Sequence, residues 1–596
     1  MASFETLKYH VQNNKIGDLI SWISEGKIGL PEMQRPFVWQ SYKVRDLIDS
    51  LYRGYPIGYI ITWNNPDIRL KDGGIAHGKT LMIDGQQRVT ALTAAIAGEK
   101  VMDRRFVKKR IRIAFNPQKE IFATRTPAIA KDPTWIDDIA QLFTDGYSDF
   151  TFITKFAAKN GLDPDSVAPA IQHLRNLTSN EIGNIQLSEH LDMDAVTEIF
   201  NRINSKGTVL SSADFIMSKL SSDDFHHGDM LRKVVEYFSR LMRDPAAIAD
   251  IRDNDSKFSN SEYYKWIAWA ADEHTDLYQP EFGDIFHVIL NFKFARGKHA
   301  DLISLVSGRD FATKQYTQEA MDHTYDLLAD GIQQVTDKSN FQRFMMILRG
   351  MGMISHSKVK FQGTGALNFS YALYLLLKNE YSKDFSHSQI ENIVRRWLLM
   401  SILTQRYSGA AESQSEIDIK QFRSEDPLSV LARQEKIQLY DGFWSTTLPQ
   451  KLNTSSSASN LWRAFLMAQA KSNSPLWLED NLKVVDAVTE EGNIHHIFPR
   501  AYLRKHGFRQ DQYNQIANFV FLSQPRNLQI SDQAPVSYLH TQEVTQFATA
   551  ENFEANAIPE SLKDMDYTSY DDFLRERRQL MAERIKELYY SFDVNG

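Results

Sequence analysis

Apolar positions recur at two spacings along this chain of 596 residues. Val44, Leu47, Ile48 and Leu51 fall on one helical face, so residues 44–52 predict an amphipathic helix. Residues 57–63 are a short apolar run rich in β-branched and aromatic side chains, which predicts a strand. Leu81-Met82-Ile83 runs into Asp84-Gly85, a turn signal, and helical spacing resumes over residues 89–96. Residues 109–115 alternate basic with apolar and predict one strand with a polar face. From about residue 230 to 450 the helical period dominates, with residues 230–242, 321–335 and 390–403 as examples. Residues 452–460 contain Thr454-Ser455-Ser456-Ser457-Ala458-Ser459 and predict a linker. A helix over 461–470 follows, and Phe573, Leu574, Leu580, Met581, Ile585 and Leu588 predict a closing helix over 571–590. The absence of a fixed-period repeat argues against a solenoid.

The length exceeds what one core serves, so several domains are expected. Aromatic residues make up 12% of the chain, which argues against disorder. The lack of cysteine excludes disulfides, thiolate zinc sites and a thiol nucleophile. A net charge of −7 does not exclude nucleic acid, because binding depends on where the basic residues sit. The first residues carry no leader pattern, and apolar runs such as Phe369–Leu377 are too short to cross a bilayer. A soluble, cytoplasmic protein with no membrane partner is the expectation. The expected fold class is α+β and multidomain, with an α/β domain over 1–230, a mainly helical region over 231–450 and a separate domain over 451–596.

Chemistry-bearing residues concentrate near the C-terminus. His495-His496-Ile497-Phe498-Pro499 can form a strand whose two imidazoles face opposite sides. A second short strand over 519–522 and a helix opening near Pro525 would complete a ββα order, with Asn518 before the strand and Asn527 on the helix. Phosphodiester hydrolysis needs an activated water, neutralised phosphate charge and help for the leaving oxygen, which one neutral imidazole and one divalent metal can supply. An isolated pair of histidines beside a proline is otherwise packing. Arg500, Arg504 and Lys505 can contact phosphates or form a solvated face.

His496-Ile497-Phe498-Pro499 with Asn518 and Asn527 resembles the ββα-metal nucleases of the HNH class. That resemblance implies His496 as general base and Asn518 as the residue that bridges the loop and orients the base. It implies His495 and Asn527 as metal ligands. His495 stands where such sites commonly carry Asp or Glu. The expected metal is Mg²⁺ or Mn²⁺, with Ni²⁺ or Co²⁺ also open, and two neutral ligands imply relatively better activity with Mn²⁺, Ni²⁺ or Co²⁺ than a site with Asp would show.

Two N-terminal stretches also stand out, Pro31 to Trp39 and Ile83-Asp84-Gly85-Gln86-Gln87-Arg88-Val89-Thr90. A glycine turn between strand and helix lets backbone N–H groups approach a phosphate, although an Asp-Gly turn is usually only a turn. Together with residues 200–210 and Arg406-Tyr407-Ser408-Gly409, these stretches resemble the GmrSD family of type IV, modification-dependent restriction enzymes. The resemblance implies a ParB-like first domain that binds a nucleoside triphosphate of unknown identity through Arg35, Asp84, Gly85, Gln86, Gln87 and Arg88. Asn204 and Gly207 join them or form a tight loop. Residues 104–112 hold six basic side chains in nine, suited either to a DNA backbone or to a charged strand edge.

The expected function is therefore an NTP-regulated, metal-dependent endonuclease that cuts modified foreign double-stranded DNA in antiphage defence, with NTP hydrolysis in the first domain. One such site per chain implies a homodimer or two successive nicks. The alternative is a nucleotide-dependent DNA-binding regulator without nuclease activity.

Overall fold

The computed structural model describes residues 8–25, 27–29, 39–64, 80–102, 108–144, 146–189, 191, 195, 196, 199, 211–221, 223, 225–354, 361–489 and 494–595. The architecture is α+β, and the chain separates into two compact units. One comprises Met1–Arg232 with Ile303–Asp322, the other Lys233–Leu302 with His323–Gly596.

The first unit is built on strands β1 (Tyr9–Lys15), β2 (Ile28–Gly29), β3 (Tyr59–Asn64), β4 (Thr80–Asp84), β5 (Lys100–Met102), β6 (Lys108–Arg110), β7 (Ile113–Asn116), β8 (Ile121–Thr124) and β9 (Glu181–Leu187). Five of them form a mixed sheet in the order β1-β9-β3-β4-β2. β3 runs parallel to β9 and antiparallel to β4, with a register shift between Ile61 and Thr62. Helices α1 (Ile16–Ser24) and α3 (Gln86–Leu92) pack on it, and α2 (Ser41–Tyr52) packs with the β7–β8 hairpin. Leu19 of α1 and Val89 of α3 pack with Ile60, Met82 and Ile182 of the sheet. α2 buries Val44, Leu47, Ile48 and Leu51, the stripe that its spacing predicts. Residues 109–115 do not make one strand. They divide between β6, paired with β5, and β7, paired with β8. Ile113 to Asn116 are all buried, so side-chain alternation stops where the chain enters β7, a strand covered on both faces.

The second unit is mainly helical. The helix Gly365–Glu380 buries every side chain from Leu367 to Leu377, so its apolar run marks a helix enclosed by protein. No helix among the described residues is long and apolar enough to cross a membrane. Arg406 and Tyr407 belong to the scaffold: Asp418, fully buried, accepts from Arg406 Nε at 2.7 Å, Tyr407 Oη at 2.8 Å and Gln414 Nε2 at 2.9 Å. The serine-rich stretch lies inside this unit. The carbonyl of Thr454 accepts from Ile516 N at 2.9 Å, and Leu452 is fully buried.

The closing helix spans Tyr570–Tyr590 and buries Phe573, Leu574, Met581, Ile585 and Leu588. Leu580, placed on the same face by spacing, is instead 39% exposed.

Candidate active site

Strand β10 (Ile494–His496) pairs antiparallel with β11 (Phe519–Phe521), setting His495 opposite Val520 and His496 opposite Phe519. The helix Gln524–Ile530 follows, with Ser523 as its N-cap and Pro525 in its first turn. A three-residue hairpin is marginal by itself, so neighbours must hold it. The indole of Trp462 lies against the rings of Phe519 and Phe521, with centroids 6.0 and 6.5 Å away. Arg577, from the closing helix, donates Nη1 to the carbonyls of Ala517 at 2.9 Å and Phe519 at 2.7 Å. Burial pushes that guanidinium down to about 9, which leaves it charged at neutral pH. Tyr538 Oη donates to the carbonyl of Ile497 at 2.9 Å.

Period-two alternation sends the imidazoles to different partners. His495 lies near the side chain of Asn527, which favours its protonated form. His496 Nε2 lies 2.9 Å from Asn514 Oδ1. The His496 ring also meets Phe519 edge-on at 5.2 Å. Desolvation is the main cause that lowers both imidazoles, and the nearby charge of Arg500 adds to it. His496 falls to about 4. Both rings are therefore neutral at pH 7, the form that accepts a proton or ligates a metal.

Asn518 is fully buried. Its Oδ1 accepts from Phe498 N at 2.8 Å, and its Nδ2 donates to the carbonyls of Phe498 and Tyr513, each at 3.1 Å. It therefore clasps the loop beyond the histidines and the residue before Asn514. The described ring partner of His496 is Asn514, which the sequence reading did not single out.

Asn527 is placed by its helix start. Glu479 Oε1 accepts from Ser523 Oγ at 2.5 Å and lies 3.7 Å from Arg526 Nε. Among the described residues no three His, Asp or Glu side chains converge as a metal cluster. His495 and Asn527 provide an imidazole and an amide, a pair that suits a borderline ion completed by water and phosphate oxygens. Arg500 and Arg504 are exposed, whereas Lys505 is ion-paired with Asp532.

In the first unit, β4 delivers Asp84 to a turn at Gly85, and α3 begins at Gln86. Gly85 has φ +97°, and a Cβ there would lie 2.6 Å from Ile60 Cγ2, so backbone sign and space both demand glycine. Gln86 Nε2 donates to the carbonyl of Met82 at 3.0 Å. Arg88 donates Nη1 to the carbonyls of Ile57 at 3.1 Å and Tyr59 at 2.7 Å, and pairs with Asp84 at 3.2 Å. In this arrangement Arg88 braces the turn against β3. Gln87, at the start of α3, also has an interaction partner. Arg35, Asn204, Gly207 and all of residues 200–210 lie outside the described residues. Of the basic stretch, Arg110 and Arg112 reach Asp138, at 3.0 and 3.7 Å.

An uncharacterized protein of Methanocaldococcus jannaschii is 21% identical to the chain, in an alignment covering 96% of this chain and 98% of the relative. Residues 16–221, which contain the sheet and the Asp84–Arg88 turn, match the family model described as the N-terminal domain of GmrSD restriction endonuclease.

Proposed function

We propose that the protein is an endonuclease of restriction type whose HNH-like centre is built on His495, His496 and Asn527. The observation that carries this reading is the ββα order, a hairpin carrying His495 and His496 followed by the helix that bears Asn527, with both imidazoles held neutral by burial. The match of residues 16–221 supports a restriction role for the whole chain. The chemistry is hydrolysis of a phosphodiester. Water attacks phosphorus, its proton passes to His496, the bond to the leaving sugar oxygen breaks, and that oxygen is protonated from solvent. The anionic phosphate raises the proton affinity of the desolvated imidazole on arrival, so His496 becomes a stronger base when substrate is present. His495 and Asn527 would hold a divalent metal, which when bound supplies positive charge to the phosphate. Asn518 keeps the loop in place, and Arg500 and Arg504 offer charge to the flanking backbone.

The first unit is proposed to bind a nucleoside triphosphate at Asp84, Gly85, Gln86 and Gln87, with Arg35 contributing and Arg88 bracing the turn. Binding there would gate cutting, so that host DNA is spared and modified foreign DNA is cleaved. The protein is proposed to act in the cytoplasm, either as a homodimer or by two nicks.

The test is a cleavage matrix. Unmodified, hydroxymethylated, glucosylated and phosphorothioated DNA are each incubated with Mg²⁺, Mn²⁺, Ni²⁺ or Co²⁺, with and without each common triphosphate. Cutting should appear on a modified substrate, respond to a nucleotide and fall by roughly 10²–10⁴-fold in His496→Ala. Failure of the wild type on every substrate with every metal would leave a binding protein.

A further inference from the structure

We infer that Asn514 is a positioning residue that fixes the tautomer of His496, leaving Nδ1 as the atom that carries the lone pair. The inference rests on the proposed role of His496 as general base. An amide oxygen can only accept, and Asn514 Oδ1 stands 2.9 Å from His496 Nε2, so Nε2 carries the proton. A neutral imidazole has one N–H and one bare nitrogen, and the bond to one nitrogen decides the state of the other.

The placement of Asn514 is not left to its own side chain. Its backbone N–H donates to the carbonyl of Gln510 at 3.0 Å, ending the short helix Gln510–Tyr513. The preceding carbonyl, of Tyr513, accepts from Asn518 Nδ2 at 3.1 Å and from Tyr570 Oη at 3.4 Å. The same Asn518 amide grips both polar backbone groups of Phe498, two residues beyond His496. One buried amide therefore sets the distance between the strand that carries the ring and the residue that holds it. Phe519, directly opposite His496 in the hairpin, limits rotation of the ring. Ring orientation and proton location are thus both determined before substrate arrives, which removes a reorganisation step from proton transfer.

The test is nitrogen-15 spectroscopy of the full chain with labelled histidine at neutral pH, with the His496 signals assigned by their loss in His496→Gln. The wild type should show a protonated Nε2, with a downfield hydrogen-bonded proton, and a bare Nδ1. Asn514→Leu should lose that downfield proton, and Asn514→Asp, which keeps an acceptor, should retain it. In cleavage assays Asn514→Leu should lower kcat by roughly tenfold or more with KM for DNA little changed. A wild-type spectrum with Nδ1 protonated and Nε2 bare would overturn the inference, as would an Asn514→Leu spectrum identical to wild type. The spectrum decides the tautomer whether or not DNA is cut. Absence of cutting would count against the nuclease reading alone.

Discussion

Replacing Asn518 should open the candidate site locally, and the size of the effect follows from its three hydrogen bonds. In Asn518→Ala the N–H and the carbonyl of Phe498 lose their side-chain partner inside protein. The carbonyl of Tyr513 loses less, because it still accepts from Gln515 N at 3.1 Å and from Tyr570 Oη. Orphaning a buried polar group costs about 1–3 kcal/mol, so two of them put the loss near 3–4 kcal/mol. Asn518→Asp is nearly isosteric and separates hydrogen bonding from volume. Its carboxylate still accepts from Phe498 N but turns a second oxygen toward two carbonyls, so at neutral pH it should cost more than alanine.

That buried carboxyl would titrate above its unfolded value of about 3.9. Its protonated form can donate to one carbonyl. The sign then follows: the aspartate variant is least destabilised in acid and loses stability as pH rises. Hydrogen exchange followed on peptides covering residues 494–521 reads the local opening. A loss of 3–4 kcal/mol corresponds to protection falling by roughly 10²–10³-fold. Unchanged protection in Asn518→Ala, or wild-type protection in Asn518→Asp at neutral pH, would refute this reasoning.

Other expectations follow from the same geometry. His495→Asp adds a charged oxygen ligand, so the ratio of the Mg²⁺ rate to the Ni²⁺ or Co²⁺ rate should rise above that of the wild type; equal ratios would show that residue 495 does not set metal preference. His496 titrates lower in the folded chain, at about 4, than its unfolded value of about 6.5. Its contribution to stability is therefore complete above about pH 6.5 and is lost as pH falls toward 4. Urea unfolding from pH 7 to 4 should show a shallower acid decline in His496→Gln, and parallel curves would deny the shift. Arg406→Met leaves the buried Asp418 carboxylate without its bidentate cation. The expected cost is about 3–5 kcal/mol, read by thermal unfolding, whereas a melting temperature within a degree of wild type would remove Arg406 from the scaffold.

Much of the local structure was legible because periodicity is a property of neighbours in sequence. Val44 to Leu51 and Phe573 to Leu588 repeat at helical spacing, and the corresponding helices bury those stripes, Leu580 excepted. The alternation of His495 and His496 required two different surroundings, and the hairpin gives them: Asn514 holds His496, while Asn527 is the polar group that influences His495. Tertiary structure decided which partners. Asn514 is 18 positions from His496, and Arg577 is 58 and 60 positions from the carbonyls it holds. Such separations leave no periodic trace, because loop closure and packing set them.

The same reason explains Arg88. Its place after a glycine turn was readable, but the capture of its guanidinium by the carbonyls of Ile57 and Tyr59 depends on β3 lying beside β4. The basic and apolar alternation of residues 109–115 read as one strand, yet the chain divides it, since β6 and β7 answer to different hairpin partners. Sequence alone determined the elements and the order of the chemical groups along the chain. Packing between distant segments determined which groups meet, because a buried polar atom must find its partner wherever the fold brings one.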